Sequence, residues 1–152
     1  MTSQRVFIAT FVLFMAPLIG LTGILGCGLV NTNGTAVGNN PAPNAPIWGS
    51  GTFNSGSQTV TGQAIIYVSG NSYMLRLESL TAPAVTGLVV QISGTQNGSQ
   101  AFTQTFALQA TSGSVNYASF TASSPVFTIV RIINPSTPNV PYGSANIIAV
   151  AQ

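Results

Sequence analysis

Apolar and polar positions are arranged in three successive ways along this chain. Residues 6–25 (V-F-I-A-T-F-V-L-F-M-A-P-L-I-G-L-T-G-I-L) form one uncharged apolar run behind Arg5. Residues 28–50 then concentrate Gly, Asn and Pro, with P-A-P-N-A-P at 41–46. From residue 51 onward, short segments rich in Val, Ile, Thr, Tyr and Phe alternate with Gly, Asn, Ser and Pro clusters. β-branched and aromatic runs bounded by turn residues are the mark of strands. Seven are predicted, near 58–68, 73–80, 86–93, 101–108, 114–120, 126–133 and 142–150. No stretch after residue 30 has a helical period with caps. About a hundred residues in seven short strands is the size of a two-sheet sandwich. The expected fold is therefore all-β: a seven-stranded antiparallel, Ig-like sandwich over 51–152, behind a signal or anchor segment (1–27, an N-terminal hydrophobic helix or signal) and a linker (28–50).

Alternation assigns faces within the strands, because successive side chains point to opposite sides. In the second strand Tyr73, Leu75 and Leu77 point one way and Met74, Arg76 and Glu78 the other, so Arg76 and Glu78 are expected to pair on an exposed face. The sixth strand, V-F-T-I-V-R-I-I, is apolar on both faces apart from Arg131. That pattern predicts a central strand with Arg131 reaching out at a sheet margin.

The N-terminal run is an export or membrane signal. Its length falls between the h-region of a cleaved signal and a spanning helix, and Arg5 on the inner side directs residues beyond 30 outward under either reading. Cys27, the sole cysteine, ends the run in the order Ile24-Leu25-Gly26-Cys27. This order is similar to the bacterial lipoprotein signal, which makes Cys27 the candidate for lipid attachment. An uncleaved anchor, or a buried cysteine behaving as a small hydrophobe, are the other readings. Alternate prolines in the linker favour an extended, semi-rigid backbone. Such an arm either spaces the domain from a membrane, with Trp48 packing on its own domain, or adds a strand to a neighbouring subunit with Ile47 and Trp48 as apolar plugs.

Composition narrows the chemistry further. The chain has three Lys or Arg residues (Arg5, Arg76 and Arg131), one Asp or Glu (Glu78) and no His, for a net charge of +2. Phosphate neutralisation needs several basic side chains, so no nucleic-acid partner is expected. General acid–base catalysis usually falls to His, Asp, Glu, Lys, Tyr or Cys, of which the chain has only one Glu, one Cys and four Tyr; an activated hydroxyl needs a base such as His or Lys, and a metal cage needs three or four ligands close together. The chain is accordingly expected to be no enzyme, with no catalytic residue, metal or cofactor. Low charge also removes the repulsion that keeps proteins apart, so self-association is expected. Two sequons, Asn33-Gly34-Thr35 and Asn97-Gly98-Ser99, make Asn33 and Asn97 glycosylation candidates.

The run T-V-T-G-Q-A-I-I-Y at 59–67, M-L-R-L-E-S-L at 74–80, V-T-G-L-V-V-Q-I-S at 85–93, A-L-Q-A-T-S-G-S-V-N-Y at 107–117 and V-P-Y-G-S-A-N-I at 140–147 together resemble the DM thirteen domain over about residues 51–150. The resemblance implies a small extracellular β domain of a secreted or lipid-anchored protein, in a family proposed to serve electron transfer. Where that family has an early His this chain has Gln58, and where it has a late Cys this chain reads Ile133-Asn134-Pro135. The resemblance thus implies fold and location without the redox groups. The arrangement of apolar N-terminal run and β-rich head is also similar to pilin-like filament subunits.

Taken together these readings predict an exported, membrane-tethered protein on the outer face of the cell membrane, attached through its N-terminal segment or a lipid. Its role would be structural or adhesive, up to a self-assembling filament or coat subunit. The alternatives are a surface module binding a small molecule or glycan, with Trp48, Tyr117 and Tyr142 as contacts, and a DM thirteen-type redox accessory.

Overall fold

A computed structural model describes residues 37–38 and 42–151. Residues 1–27, including Cys27, and the sequon at Asn33 lie outside the described residues. The strands are β1 (Val37–Gly38), β2 (Ile47–Ser55), β3 (Thr61–Ser69), β4 (Ser72–Thr81), β5 (Val89–Gln96), β6 (Gln100–Ala107), β7 (Ser112–Asn116), β8 (Phe120–Thr121), β9 (Pro125–Ile133), β10 (Gly143–Asn146) and β11 (Ile148–Ala149). All pairings among the described residues are antiparallel, and no helix occurs among them.

The all-β, antiparallel expectation holds, but the strands do not divide into two separate sheets. They follow one hydrogen-bonded path, β1-β7-β4-β3-β2-β10-β9-β5-β6, curled around a common core. The joint is β2. Its residues 47 and 49–52 pair with β3, and the whole stretch from Gly49 to Ser55 runs in a single register along β10 and β11. β2 begins at Ile47, inside the stretch read as linker. Its sequence, I-W-G-S-G-T-F-N-S, looks like linker because two of its positions must be glycine. A Cβ on Gly51 would lie 2.1 Å from the Asn146 carbonyl oxygen, and one on Gly49 would lie 2.8 Å from that of Ile148. The late motif Tyr142-Gly143-Ser144-Ala145 has a packing role: Gly143 makes room for the Val60 side chain, and Ala145 is fully buried.

The core follows the two-residue period. Ala64 and Ile66 of β3, Leu75 and Leu77 of β4, Val90 and Ile92 of β5, and Val130 and Ile132 of β9 are fully buried in one cluster. Where the curled sheet stays open, between β6 and the β7–β8 segment, rings fill the seam. Phe106 lies 5.3 Å from Tyr117, and Phe102 and Phe106 each lie 6.0 Å from Phe120. β9 is central, as its apolar pattern predicts, with β10 on one side and β5 on the other. Arg131 is therefore not at a margin. It stands mid-sheet opposite Gln91 and Ser144, and its guanidinium donates a hydrogen bond to Gln91 Oε1.

Candidate functional site

Charge, buried polar groups and backbone strain meet at one place among the described residues, the outer face of β3, β4 and β7. Ile65, Tyr67 and Arg76 alternate with the core residues of their strands, yet they are buried on this second face. Arg76 is only 4% exposed. Its Nη1 donates to Asn116 Oδ1 on β7 at 3.0 Å, and its Nη2 to Glu78 Oε1 at 3.4 Å. The expected Arg76–Glu78 pair thus exists, but it is not a surface pair. Glu78 keeps a side chain 39% exposed while the arginine is enclosed. Alternation gave the face correctly; nothing in the sequence marked that face as covered. Pro43 and Ala45 meet Tyr67 and Met74 around a small pocket at one end of it.

Backbone strain lies beside the pair. Between β3 and β4 the register shifts from Thr61↔Thr81 to Gln63↔Glu78, which leaves an extra residue on β4. Gly62 (φ 116°) and Ser79 (φ 50°) absorb the bulge, and the Ser114 hydroxyl accepts the Ser79 N–H at 3.2 Å. Glycine is needed at 62, because a Cβ there would sit 2.7 Å from the Glu78 carbonyl oxygen in a backbone conformation that side chains avoid. The bulge shapes an open hollow lined by Thr52, Gln63 and Glu78. Chemically this gives a half-exposed carboxylate held by a fixed guanidinium, with hydroxyls but no imidazole or amine to activate them.

Because a buried hydrogen-bonded arginine loses several partners at once, Arg76→Ala is expected to cost about 2–3 kcal/mol in urea unfolding. Glu78→Gln, which leaves the Asn116 bond and an amide oxygen for Nη2 but removes the counter-charge of the enclosed guanidinium, is expected to cost about 1–1.5 kcal/mol. Equal losses would show that the ion pair, not the burial of Arg76, sets the energy.

The aromatic residues singled out from sequence are drawn into the core. Trp48 sits edge-on to Phe127 with ring centroids 4.8 Å apart, and Tyr142 packs against the core cluster. Tyr117 is buried, with its hydroxyl oxygen accepting the Gln109 N–H at 3.4 Å. Ile47, by contrast, is 40% exposed and lines an open groove with Pro46, Val68 and Val150. Asn97 is exposed in the β5–β6 turn, where it and Gly98 both have positive φ.

No family model matches the chain, and no curated protein or solved structure is significantly similar to it.

Two tyrosines titrate away from their ordinary range. Burial pushes the Tyr117 hydroxyl well above its ordinary value, with the Gln109 hydrogen bond pulling weakly the other way. Burial also raises Tyr67, against the attraction of the Arg76 charge. A raised tyrosine pKa means that the unfolded chain ionises first. The stabilisation is complete below about pH 10 and is lost as pH climbs toward the folded values. With no His or Asp in the chain, thermal unfolding is expected to be flat between about pH 5 and 9. It should then decline above about pH 10, with a slope of up to ~1.4 kcal/mol per pH unit for each tyrosine. Tyr117→Phe should make the alkaline decline shallower; an unchanged slope would remove Tyr117 as its cause.

Proposed function

We propose that this chain is a non-enzymatic, exported protein, held at the outer face of the cell membrane by its N-terminal segment, with a structural or adhesive β domain that builds a surface filament or coat. The observation that carries the reading is the use made of its charges. Its one carboxylate side chain is bound to Arg76, and Arg131 is bound to Gln91. With no His or Lys in the chain, this leaves no acid–base pair for turnover. The uncharged run at 6–25 and the prolines at 41–46 support tethering at a distance. The open groove at Ile47, Val68 and Val150 supports Ile47 as a contact in assembly.

Intact mass of the full chain recovered from fractionated cells tests the reading. The expected result is membrane-bound protein, protease-accessible from outside, carrying either a lipid on Cys27 or a retained apolar segment. Cytoplasmic protein of unmodified mass would overturn it.

A further inference from the structure

We propose that β6 is a homotypic pairing edge, where a second copy of this chain docks antiparallel about a two-fold axis through Gln104. Among the described residues β6 pairs only with β5, so no strand is hydrogen-bonded to its other edge, and only side chains cross the seam to the β7–β8 segment. Edge strands are normally blunted by charge, proline, bulges or shortness. β6 has none of these. It is eight residues long, Q-A-F-T-Q-T-F-A, with no charged residue or proline. Its register against β5 runs unbroken from Val89↔Ala107 to Gln96↔Gln100.

Its sequence names the partner. Residues 101–107, Ala-Phe-Thr-Gln-Thr-Phe-Ala, read the same in both directions. Antiparallel pairing centred on Gln104 sets Ala101 opposite the partner's Ala107, Phe102 opposite the partner's Phe106 and Thr103 opposite the partner's Thr105. Aromatic–aromatic and Thr–Thr are favourable cross-strand pairs, and an isologous two-fold contact makes each of them twice. A slip of two residues would set Phe102 against the partner's Gln104 and lose the match, so the palindrome selects one register.

The placement of the side chains agrees with this pairing. Thr103 and Thr105 are exposed, on the solvent side of the sheet. Gln104, opposite the buried Ile92, is half-buried on the core side between Phe102 and Phe106. On the axis its amide meets an identical amide, each able to donate to and accept from the other. The ring-filled seams of the two copies then abut through Phe102 and Phe106. This inference concerns the folded domain and stands or falls separately from membrane tethering.

The test uses the full chain in detergent, with sedimentation and near-UV circular dichroism to confirm folding. The wild type is expected to dimerise. Thr103→Lys with Thr105→Lys, which sets like charges opposite each other across the axis, should weaken dimerisation at least tenfold. Thr103→Lys with Thr105→Glu, equally charged in number but complementary in this register, should restore it. Independently, Gln104→Cys with Cys27→Ser should oxidise to a disulfide-linked dimer, because only a residue on the axis faces itself. A monomeric wild type, undiminished dimer in the double-lysine variant, or a lysine–glutamate variant as monomeric as the double-lysine one would each overturn the proposal.

Discussion

Replacing Phe127 with alanine is expected to destabilise the domain by about 3–5 kcal/mol, the upper range for truncating a buried aromatic. Phe127 is fully enclosed and touches four other rings. Trp48 lies 4.8 Å away, Tyr73 5.1 Å, Phe102 5.6 Å and Phe120 5.9 Å, all at interplanar angles between 67° and 85°. These edge-to-face contacts tie β2, β4, β6 and β8 to the central β9, so truncation leaves a void lined from both halves of the curled sheet. For a domain whose total stability is ~5–15 kcal/mol, such a loss removes much of the margin. The chain's single tryptophan reports directly, because its ring contacts the deleted one. Urea unfolding followed by Trp48 fluorescence should show a lower midpoint, while Phe127→Leu, which keeps most of the volume, should lose about half as much. A loss below about 1 kcal/mol would mean that the cluster collapses into the gap.

Gly94→Ala is expected to cost about 3 kcal/mol or more, although it adds a single methyl group. A Cβ on Gly94 would lie 1.9 Å from the Val126 carbonyl oxygen and 2.9 Å from the Phe127 Cα. Both obstacles are backbone, so no rotamer change relieves them, and overpacking of this kind forces strands apart. The cause is the bulge where Ser93 and Gly94 face Ile129 and Phe127, leaving Thr128 in excess on β9. The Thr128 hydroxyl fastens the bulge by donating to the Ser93 carbonyl at 3.1 Å. Gly70→Ala makes the comparison: its φ is +59° but the space around it is open, so only the left-handed backbone penalty of about 1 kcal/mol is expected. Equal losses at the two sites would show that β5 and β9 can separate locally at little cost.

Strand identity was legible wherever side chains carry the period. The runs at 58–68, 73–80, 101–108 and 126–133 correspond to β3, β4, β6 and β9 within a few residues. β2 was hidden because the close passage of β10 and β11 requires glycine at 49 and 51, and a strand built on glycine has the composition of a linker. Joining two groups of strands into one sheet depends on that hidden strand, so the sheet's continuity was hidden with it. The candidate site divides in the same way. The shared face of Arg76 and Glu78 follows from alternation, whereas burial of Arg76, its bond to Asn116 and the strain at Ser79 depend on strands distant in sequence.

The placement of β10 also makes the continuity of the sheet depend on pairings between residues far apart in sequence. Residues 143–146 fill the gap between β2 and β9, so Phe53 finds its partner in Ala145, 92 residues further along the chain. Such distant pairings carry a large loop-closure cost and slow folding. Until they form, the group β1-β7-β4-β3-β2 and the group β9-β5-β6 share no hydrogen-bonded neighbour along this path, and the facing edges of β2 and β9 stay open. β10 therefore makes the hydrogen bonding continuous between two groups of strands that otherwise meet through side chains, chiefly the rings around Phe127.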